Sequence, residues 1–298
     1  MYLKPVLIIA MVILNFFAVS CQKVAEDPVG IRPQPFENVK AGGSKKQTGA
    51  LTKKQPVLDD CKQLLLMVTP DWNSQRGVLQ RYERDGANQP WRPVGTLMDG
   101  VVGIKGLAWG SGLYNISNLG ESAGGPFKKE GDGKAPAGAF LLGSVFGYAS
   151  PGQMGMLKMP YLQASTSTLC IDDSNSQYYN HIVDKASIKK PDWKSFEQMR
   201  RSDELYRLGV IVDYNRKSND PGKGSCVFIH IQRSPTAGTA GCTAFTKSNV
   251  ETLVRWLDEK KTPVLVQLPQ SEYLRLRKDW SLPDLPENAA AKQKRPIQ

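Results

Sequence analysis

The chain has 298 residues, of which 40% are hydrophobic and 22% charged, and its formal net charge at pH 7 is +11. After the N-terminal stretch no segment is apolar enough to span a bilayer, which excludes a polytopic membrane protein. The positive charge suits anionic surroundings such as phospholipid head groups or a carboxylate-rich wall, and a solvated basic surface without a partner is the alternative.

Residues 1–20 have the pattern of a secretory signal peptide, because Lys4 precedes an apolar run interrupted only by Asn15. Small residues lie directly before Cys21, and this arrangement resembles the lipobox of bacterial lipoproteins, in which the Cys carries the lipid. We therefore expect an exported periplasmic or cell-envelope protein, anchored to a membrane through Cys21. Plain signal cleavage and an uncleaved anchor are the alternatives. Export also argues against nucleic acid as a partner.

The composition of the rest of the chain predicts three segments: a tether, a domain and a tail. Residues 21–60 lack apolar periodicity and are rich in Lys, Gly, Pro, Gln and Thr, which predicts a flexible tether. Residues 61–269 are about two hundred positions, enough for one domain with a sizeable core. Residues 270–298 are expected to form a peripheral tail, with a short helix at 272–280.

Apolar runs separated by turn residues predict many strands. They lie at 64–69, 78–83, 91–97, 101–104, 140–145, 206–213, 226–231 and 264–268. A helix is predicted at 192–205, with Asp192 or Ser195 as its cap, and a second one after Thr246, where apolar residues follow a helical period. Strands predominate and do not alternate with helices, so the predicted fold class is mainly β with flanking helices.

The strand at 226–231 carries His230, and the Gly- and Thr-rich loop after it ends at Gly241 and Cys242. A His in a strand and a Cys at the end of the next loop can meet in space. The thiolate is the reactive form of Cys, and a neighbouring His accepts its proton. Glycine before the Cys allows close approach of a carbonyl, and backbone N–H groups there could hold an oxyanion. A buried Cys beside a core His is the alternative, and spacing alone does not separate the two.

Other polar residues have weaker signals. His181 lies in a polar, aromatic setting and is expected to be structural or to line a substrate. Arg200 and Arg201 fit a solvated helix face better than a carboxylate site. If Cys242 must stay free, Cys61 and Cys170 are the pair left by position, since Cys226 begins a buried strand, although other connectivities are open.

Three motifs in this order resemble the YkuD family, the L,D-transpeptidase catalytic domain. They are Gly131-Asp-Gly-Lys-Ala-Pro-Ala-Gly-Ala-Phe140, Val227-Phe-Ile-His230 and Thr239-Ala-Gly-Cys242. The resemblance spans residues 63–269. The chain departs from the family motif at Ala240, where a His is usual, and at Ala244, where an Arg is usual.

The resemblance implies a single L,D-transpeptidase catalytic domain that acts on peptidoglycan stem peptides. Cys242 would be the nucleophile, His230 the general acid/base, and Thr239 and Gly241 would shape the substrate loop. An amine resolving the thioester gives a crosslink, whereas water makes an L,D-carboxypeptidase. No metal or cofactor is expected. A non-catalytic wall-binding lipoprotein remains an alternative, as does a thiol redox protein, which the lack of a Cys-x-x-Cys motif disfavours.

Overall fold

The computed structural model describes residues 58–114, 124–286 and 289, which belong to one compact unit. The predicted signal peptide and nearly all of the predicted tether therefore lie outside the described residues. The strands are β1 (Gln63–Thr69), β2 (Arg76–Glu83), β3 (Arg92–Val101), β4 (Leu107–Trp109), β5 (Ala135–Gly147), β6 (Tyr161–Gln163), β7 (Thr168–Cys170), β8 (Ile182–Asp184), β9 (Glu197–Gln198), β10 (Leu208–Val212), β11 (Phe228–Ile231), β12 (Thr243–Phe245) and β13 (Val264–Pro269). The helices are α1 (Pro151–Met154), α2 (Lys247–Trp256) and α3 (Gln270–Leu276), with 3₁₀ turns at Lys185–Ser187 and Glu259–Lys261.

The fold class predicted from the sequence, mainly β with flanking helices, is confirmed. None of the described helices is long and apolar enough to cross a membrane.

The main sheet closes on itself. Its strands pair in the order β10, β11, β12, β3, β2, β1, β13 and β5, and β5 pairs with β10 to complete the ring. Most neighbours are antiparallel, but β1 with β13 and β11 with β12 are parallel. β4 and β6 attach to β5, while β8, β7 and β9 form a separate small sheet. Closure leaves none of the ring strands with an unpaired edge.

The centre of the core is the parallel pair β1 and β13, in which every residue is buried. Burial on both faces explains why these strands are continuous apolar runs instead of alternating ones. Their polar residues are hydrogen-bonded. Gln267 in β13 donates to the Pro136 carbonyl at 2.9 Å and accepts from the Thr243 hydroxyl at 2.7 Å.

Helix α2 forms where the sequence predicts it. The Thr246 side chain caps it by accepting from the Asn249 N–H. Val250, Leu253 and Val254 are its buried face. By contrast, the strand predicted at 101–104 does not form as an element of its own. The strand predicted at 91–97 is instead longer, because β3 runs on to Val101 by pairing with β2 along its length and with β12 at its end.

The helix predicted at 192–205 is absent, and this prediction is wrong. The segment holds only the short strand β9, which pairs with β7. One of its two expected caps, Asp192, instead accepts hydrogen bonds from Ser176 and Gln177, which lie 16 and 15 positions earlier in the chain. The segment is therefore drawn into the small sheet.

Residues 270–286 also differ from the peripheral tail that we predicted. Tyr273, Leu276 and Trp280 are buried in the main core. The carbonyl of Asp284 accepts a 2.7 Å hydrogen bond from the Tyr82 hydroxyl. Helix α3 packs against β13 and β1, since an amphipathic helix buries its apolar face on a neighbouring sheet surface.

The predicted disulfide between Cys61 and Cys170 is wrong, because the bridge joins Cys170 to Cys226, whose Cα atoms are 6.0 Å apart. Cys61 is a free buried thiol that donates to the Gln63 carbonyl. Cys226 does not begin a strand. It precedes β11 with a φ of +53°, and its side chain is bonded to Cys170 in β7. The bridge links the small sheet to the start of β11.

Loss of this bridge should destabilise the domain. Its cysteines are 56 positions apart, and closure of a loop of that length contributes about 2–4 kcal/mol to the free energy of unfolding. A Cys170→Ser/Cys226→Ser double variant should show that decrease in urea unfolding. A reductant should lower the free energy of unfolding of the wild type by the same amount and leave that of the double variant unchanged. A wild type insensitive to reduction would contradict the assignment.

Candidate active site

The two residues singled out by the sequence share one face of the sheet. His230 lies in β11 and Cys242 directly precedes β12, its parallel neighbour. The register pairs Ile229 with Thr243 and His230 with Ala244. Because side chains alternate along strands, the thiol and the imidazole face the same way, while Thr243 faces the opposite side and bonds to Gln267.

The Cys242 thiol is buried and only 6% of the residue is exposed. The Phe228 N–H donates to its sulfur at 3.3 Å, and the thiol lies 3.6 Å from the Cys226 carbonyl oxygen. Burial, followed by the negative charge of Glu197, raises the pKa of Cys242 to about 12. At neutral pH the sulfur is therefore protonated.

The His230 ring is equally buried, at 6% exposed. Its Nδ1 lies 2.9 Å from the Ile231 carbonyl oxygen, so Nδ1 carries the proton and Nε2 has a free lone pair. Burial lowers the pKa of His230 to about 4. Within the described part of the chain, no hydrogen bond joins His230 to the sulfur of Cys242. The resting site thus holds a neutral thiol and a neutral imidazole.

The loop residues Thr239 and Gly241 shape the approach to Cys242. The Thr239 hydroxyl donates to the Cys242 carbonyl at 2.6 Å and accepts from the Gly241 N–H at 3.2 Å. Backbone bonds from Thr239 to Val102 and from Ile104 to Thr239 fasten this loop to the chain after β3. The side chain of Thr239 therefore fixes the backbone that presents the thiol.

The turn at Gly131-Asp132-Gly133 also supports the loop that presents Cys242. The Asp132 carboxylate accepts from the N–H groups of Lys129 and Lys134 and pairs with the Lys128 ammonium at 2.7 Å. Gly131 and Gly133 have positive φ values, as this tight turn requires. The anchored, buried Lys128 lies near Gly241, and its charge acts to lower the pKa of Cys242.

Sequence reasoning missed Tyr206 and Glu197. The buried Tyr206 ring lies edge-on to the His230 ring, with centroids 5.1 Å apart. Its hydroxyl donates to the Glu197 carboxylate at 2.5 Å, and Tyr206 acts to lower the pKa of Cys242. Burial raises the pKa of Glu197. No local sequence signal marks either residue.

Of the remaining polar candidates, His181 lies outside this cluster and Arg201 borders it, with its guanidinium 5.2 Å from the Tyr206 ring centroid. His181 is exposed, and its Nδ1 bonds to the Tyr179 carbonyl at 2.7 Å. Arg201 is not on a helix, and it pairs with Asp203 at 2.8 Å. A cavity of about 670 Å³ lies between Arg201, Ile231 and α2, but neither Cys242 nor His230 lines it. Among the described residues no group of metal-ligating side chains is clustered tightly enough to hold a metal ion.

Comparison with known proteins gives one family. The model of the L,D-transpeptidase catalytic domain, YkuD, matches residues 111–266. No curated protein matches the chain. Among solved structures, the helical cell shape determining protein Pgp2 from Campylobacter jejuni is 17% identical with a TM-score of 0.31, and the match covers 69% of this chain. This chain spans 47% of that protein, which is less than half of its length.

The family resemblance carried by the three motifs is therefore confirmed. The matched region contains the whole candidate site, from the Gly-Asp-Gly turn to Cys242 and β12. Since the family model covers more than half of the chain, this protein belongs to the YkuD family of L,D-transpeptidase catalytic domains.

Proposed function

We propose that this protein is a cysteine-dependent L,D-transpeptidase that acts on peptidoglycan stem peptides. Family membership supports a function on peptidoglycan in general. The observation that carries the finer proposal is the placement of the Cys242 thiol and the His230 imidazole on one face of two adjacent parallel strands.

In the first half of the reaction the Cys242 sulfur attacks the carbonyl carbon of the L,D amide in a stem peptide. Nε2 of His230 takes the thiol proton and delivers it to the departing amine, so that D-alanine leaves as the C–N bond breaks. The N–H of Cys242 is the candidate donor to the oxyanion. The product of this half is a thioester on Cys242.

In the second half an amine from another stem peptide attacks the thioester. Nε2 of His230 accepts the proton from this amine and returns it to the sulfur as the C–S bond breaks, which yields the crosslink and the free enzyme. Water in place of the amine would give an L,D-carboxypeptidase. Ala240 and Ala244 stand where polar residues are usual in the family, so the acceptor contacts differ from the usual pattern.

The protonation states suggest when the thiolate forms. A thiol with a pKa of about 12 does not transfer its proton to an imidazole with a pKa of about 4 in the free protein. The transfer therefore accompanies attack on the carbonyl, when negative charge passes from sulfur to the oxyanion. A non-catalytic binding module would keep the same neutral pair without using it.

We also propose that the protein works in the cell envelope. Residues 1–20 would direct export, a lipid on Cys21 would anchor the chain, and residues 22–60 would connect the anchor to the domain. The net charge of +11 suits the anionic wall and membrane surface.

Cys242→Ala should abolish release of D-alanine from disaccharide tetrapeptide, because no other described thiol lies beside His230. Cys61→Ala is the matched control, since Cys61 is also a free buried thiol but lies two residues before β1. That control should keep most of its activity. Mass analysis of the products separates crosslinked dimer, tripeptide alone and unchanged substrate. Full activity of Cys242→Ala would refute the proposal, and wild type that leaves the substrate unchanged would favour the binding module.

The pH dependence of kcat/KM should lack the usual fall near the ordinary histidine pKa. The general base must be unprotonated, and burial lowers the pKa of His230 to about 4. Activity should therefore stay level down to roughly pH 5 and fall only as the pH passes through that lowered value. Initial rates of D-alanine release in constant-ionic-strength buffers measure this. An acid limb centred near pH 6.5 would contradict the assigned state.

The mature protein should carry lipid on Cys21. Intact-mass measurement of detergent-extracted protein should show a mass increase on an N-terminal fragment beginning at Cys21. A Cys21→Ser variant should lose that mass and leave the membrane fraction. An unmodified N-terminus beginning at another residue would indicate plain secretion.

A further inference from the structure

We propose that Tyr206 and Glu197 are positioning residues for the Cys242–His230 pair. In this arrangement the Tyr206 hydroxyl is a shared donor for which the Glu197 carboxylate and the Cys242 sulfur compete, while the Tyr206 ring holds the imidazole. The inference rests on the thiol chemistry proposed above and adds two residues that lie outside the motifs.

The hydroxyl of Tyr206 has a single proton to donate. In the resting site this proton is donated to Glu197 Oε2, at 2.5 Å, while the Cys242 sulfur has the Phe228 N–H and the Cys226 carbonyl as its partners. When the sulfur loses its proton it becomes a strong acceptor, and the hydroxyl can turn to it. The donor thus stabilises sulfur charge when that charge forms, which is the kind of interaction that lowers a barrier.

The ring of Tyr206 is fixed on several sides. It meets the His230 ring at 5.1 Å, the Phe228 ring at 5.6 Å and the Phe146 ring at 5.8 Å, all edge-on. The Arg201 guanidinium lies over it, 5.2 Å from the ring centroid. A ring held in this way restricts the rotation of His230 and keeps Nδ1 on the Ile231 carbonyl.

Glu197 is connected to the thiol pocket through the small sheet and the disulfide. In the small sheet it pairs with Cys170, and Cys170 is bonded to Cys226. The carbonyl of Cys226 in turn lies 3.6 Å from the Cys242 sulfur. The carboxylate that competes for the hydroxyl is therefore placed by the same bridge that shapes the wall of the thiol site.

Several other charged groups act on this cluster. Asp172 and Glu130 add negative charge around Glu197, and Arg201 adds positive charge. Lys128 acts on Cys242 from the side of the Gly-Asp-Gly turn. None of these groups is hydrogen-bonded to the Tyr206 hydroxyl, so only changes at Glu197 and Tyr206 should alter the reactivity of Cys242 through that hydroxyl.

Alkylation of Cys242 by iodoacetamide tests the inference without any substrate. The rate is followed from about pH 6 to about pH 10 on the peptide that contains Cys242, by mass spectrometry, which separates it from Cys61. Glu197→Gln removes a negative charge that competes for the donor, so alkylation near pH 8 should become roughly threefold to tenfold faster. Tyr206→Phe removes the donor but keeps the ring, so alkylation should become slower by a similar factor.

Two control variants make the same substitutions, Glu to Gln and Tyr to Phe, at positions away from Cys242. Glu204→Gln removes an exposed carboxylate that pairs with Arg207, and Tyr161→Phe removes a hydroxyl that donates to the Ala149 carbonyl. Both should keep the wild-type alkylation rate. Superimposable profiles for wild type, Glu197→Gln and Tyr206→Phe would overturn the inference, as would rate changes in the same direction for both variants, since general loosening of the site would produce them.

Two further points complete the test: what decides if a variant fails to fold, and how Tyr206→Phe changes turnover of the substrate. Should Glu197→Gln fail to fold, Tyr206→Phe decides alone, because slower alkylation supports the role and unchanged or faster alkylation refutes it. With the disaccharide tetrapeptide substrate, Tyr206→Phe should lower kcat about tenfold or more and leave KM nearly unchanged. The proposed function fails separately, through an active Cys242→Ala variant, whatever the alkylation profiles show.

Discussion

The parallel pairing of β11 with β12 is the constraint on which the site depends. Its register places Cys242 and His230 on one face of the sheet, and a slip by one residue would turn one of them to the other face. The surrounding structure prevents that slip. β10 holds the outer side of β11, β3 holds the outer side of β12, and the bond from Thr243 to Gln267 fixes the start of β12.

Burial governs the chemistry that this register makes possible. Removing water disfavours the charged form of each group, so the same effect raises the pKa of Cys242 and lowers that of His230. The two groups are therefore a neutral pair at rest and not a preformed ion pair. In the proposed reaction the resting protein supplies the geometry, and donors near the sulfur stabilise the charge as it forms.

The sequence was sufficient where the signal is local. The apolar run of β1, the capped helix α2, and the motifs carrying His230 and Cys242 could all be recognised without a structure. Glu197 and Tyr206 could not, because a pairing across the small sheet and a packed aromatic cluster bring them to the thiol. The predicted helix at 192–205 hid Glu197. The disulfide was missed because the left-handed backbone of Cys226 leaves no trace in an apolar pattern.

The protonated state of Cys242 also bears on the chemical durability of the protein. A thiolate beside the Cys170–Cys226 bridge could attack it and exchange partners, but a neutral thiol is a poor nucleophile for that reaction. Peroxides likewise oxidise thiolates in preference to thiols. If Cys242 keeps its proton until a carbonyl is attacked, as in the proposed reaction, it stays both reduced and harmless to the bridge, so that an oxidising environment would preserve the bridge without consuming the thiol.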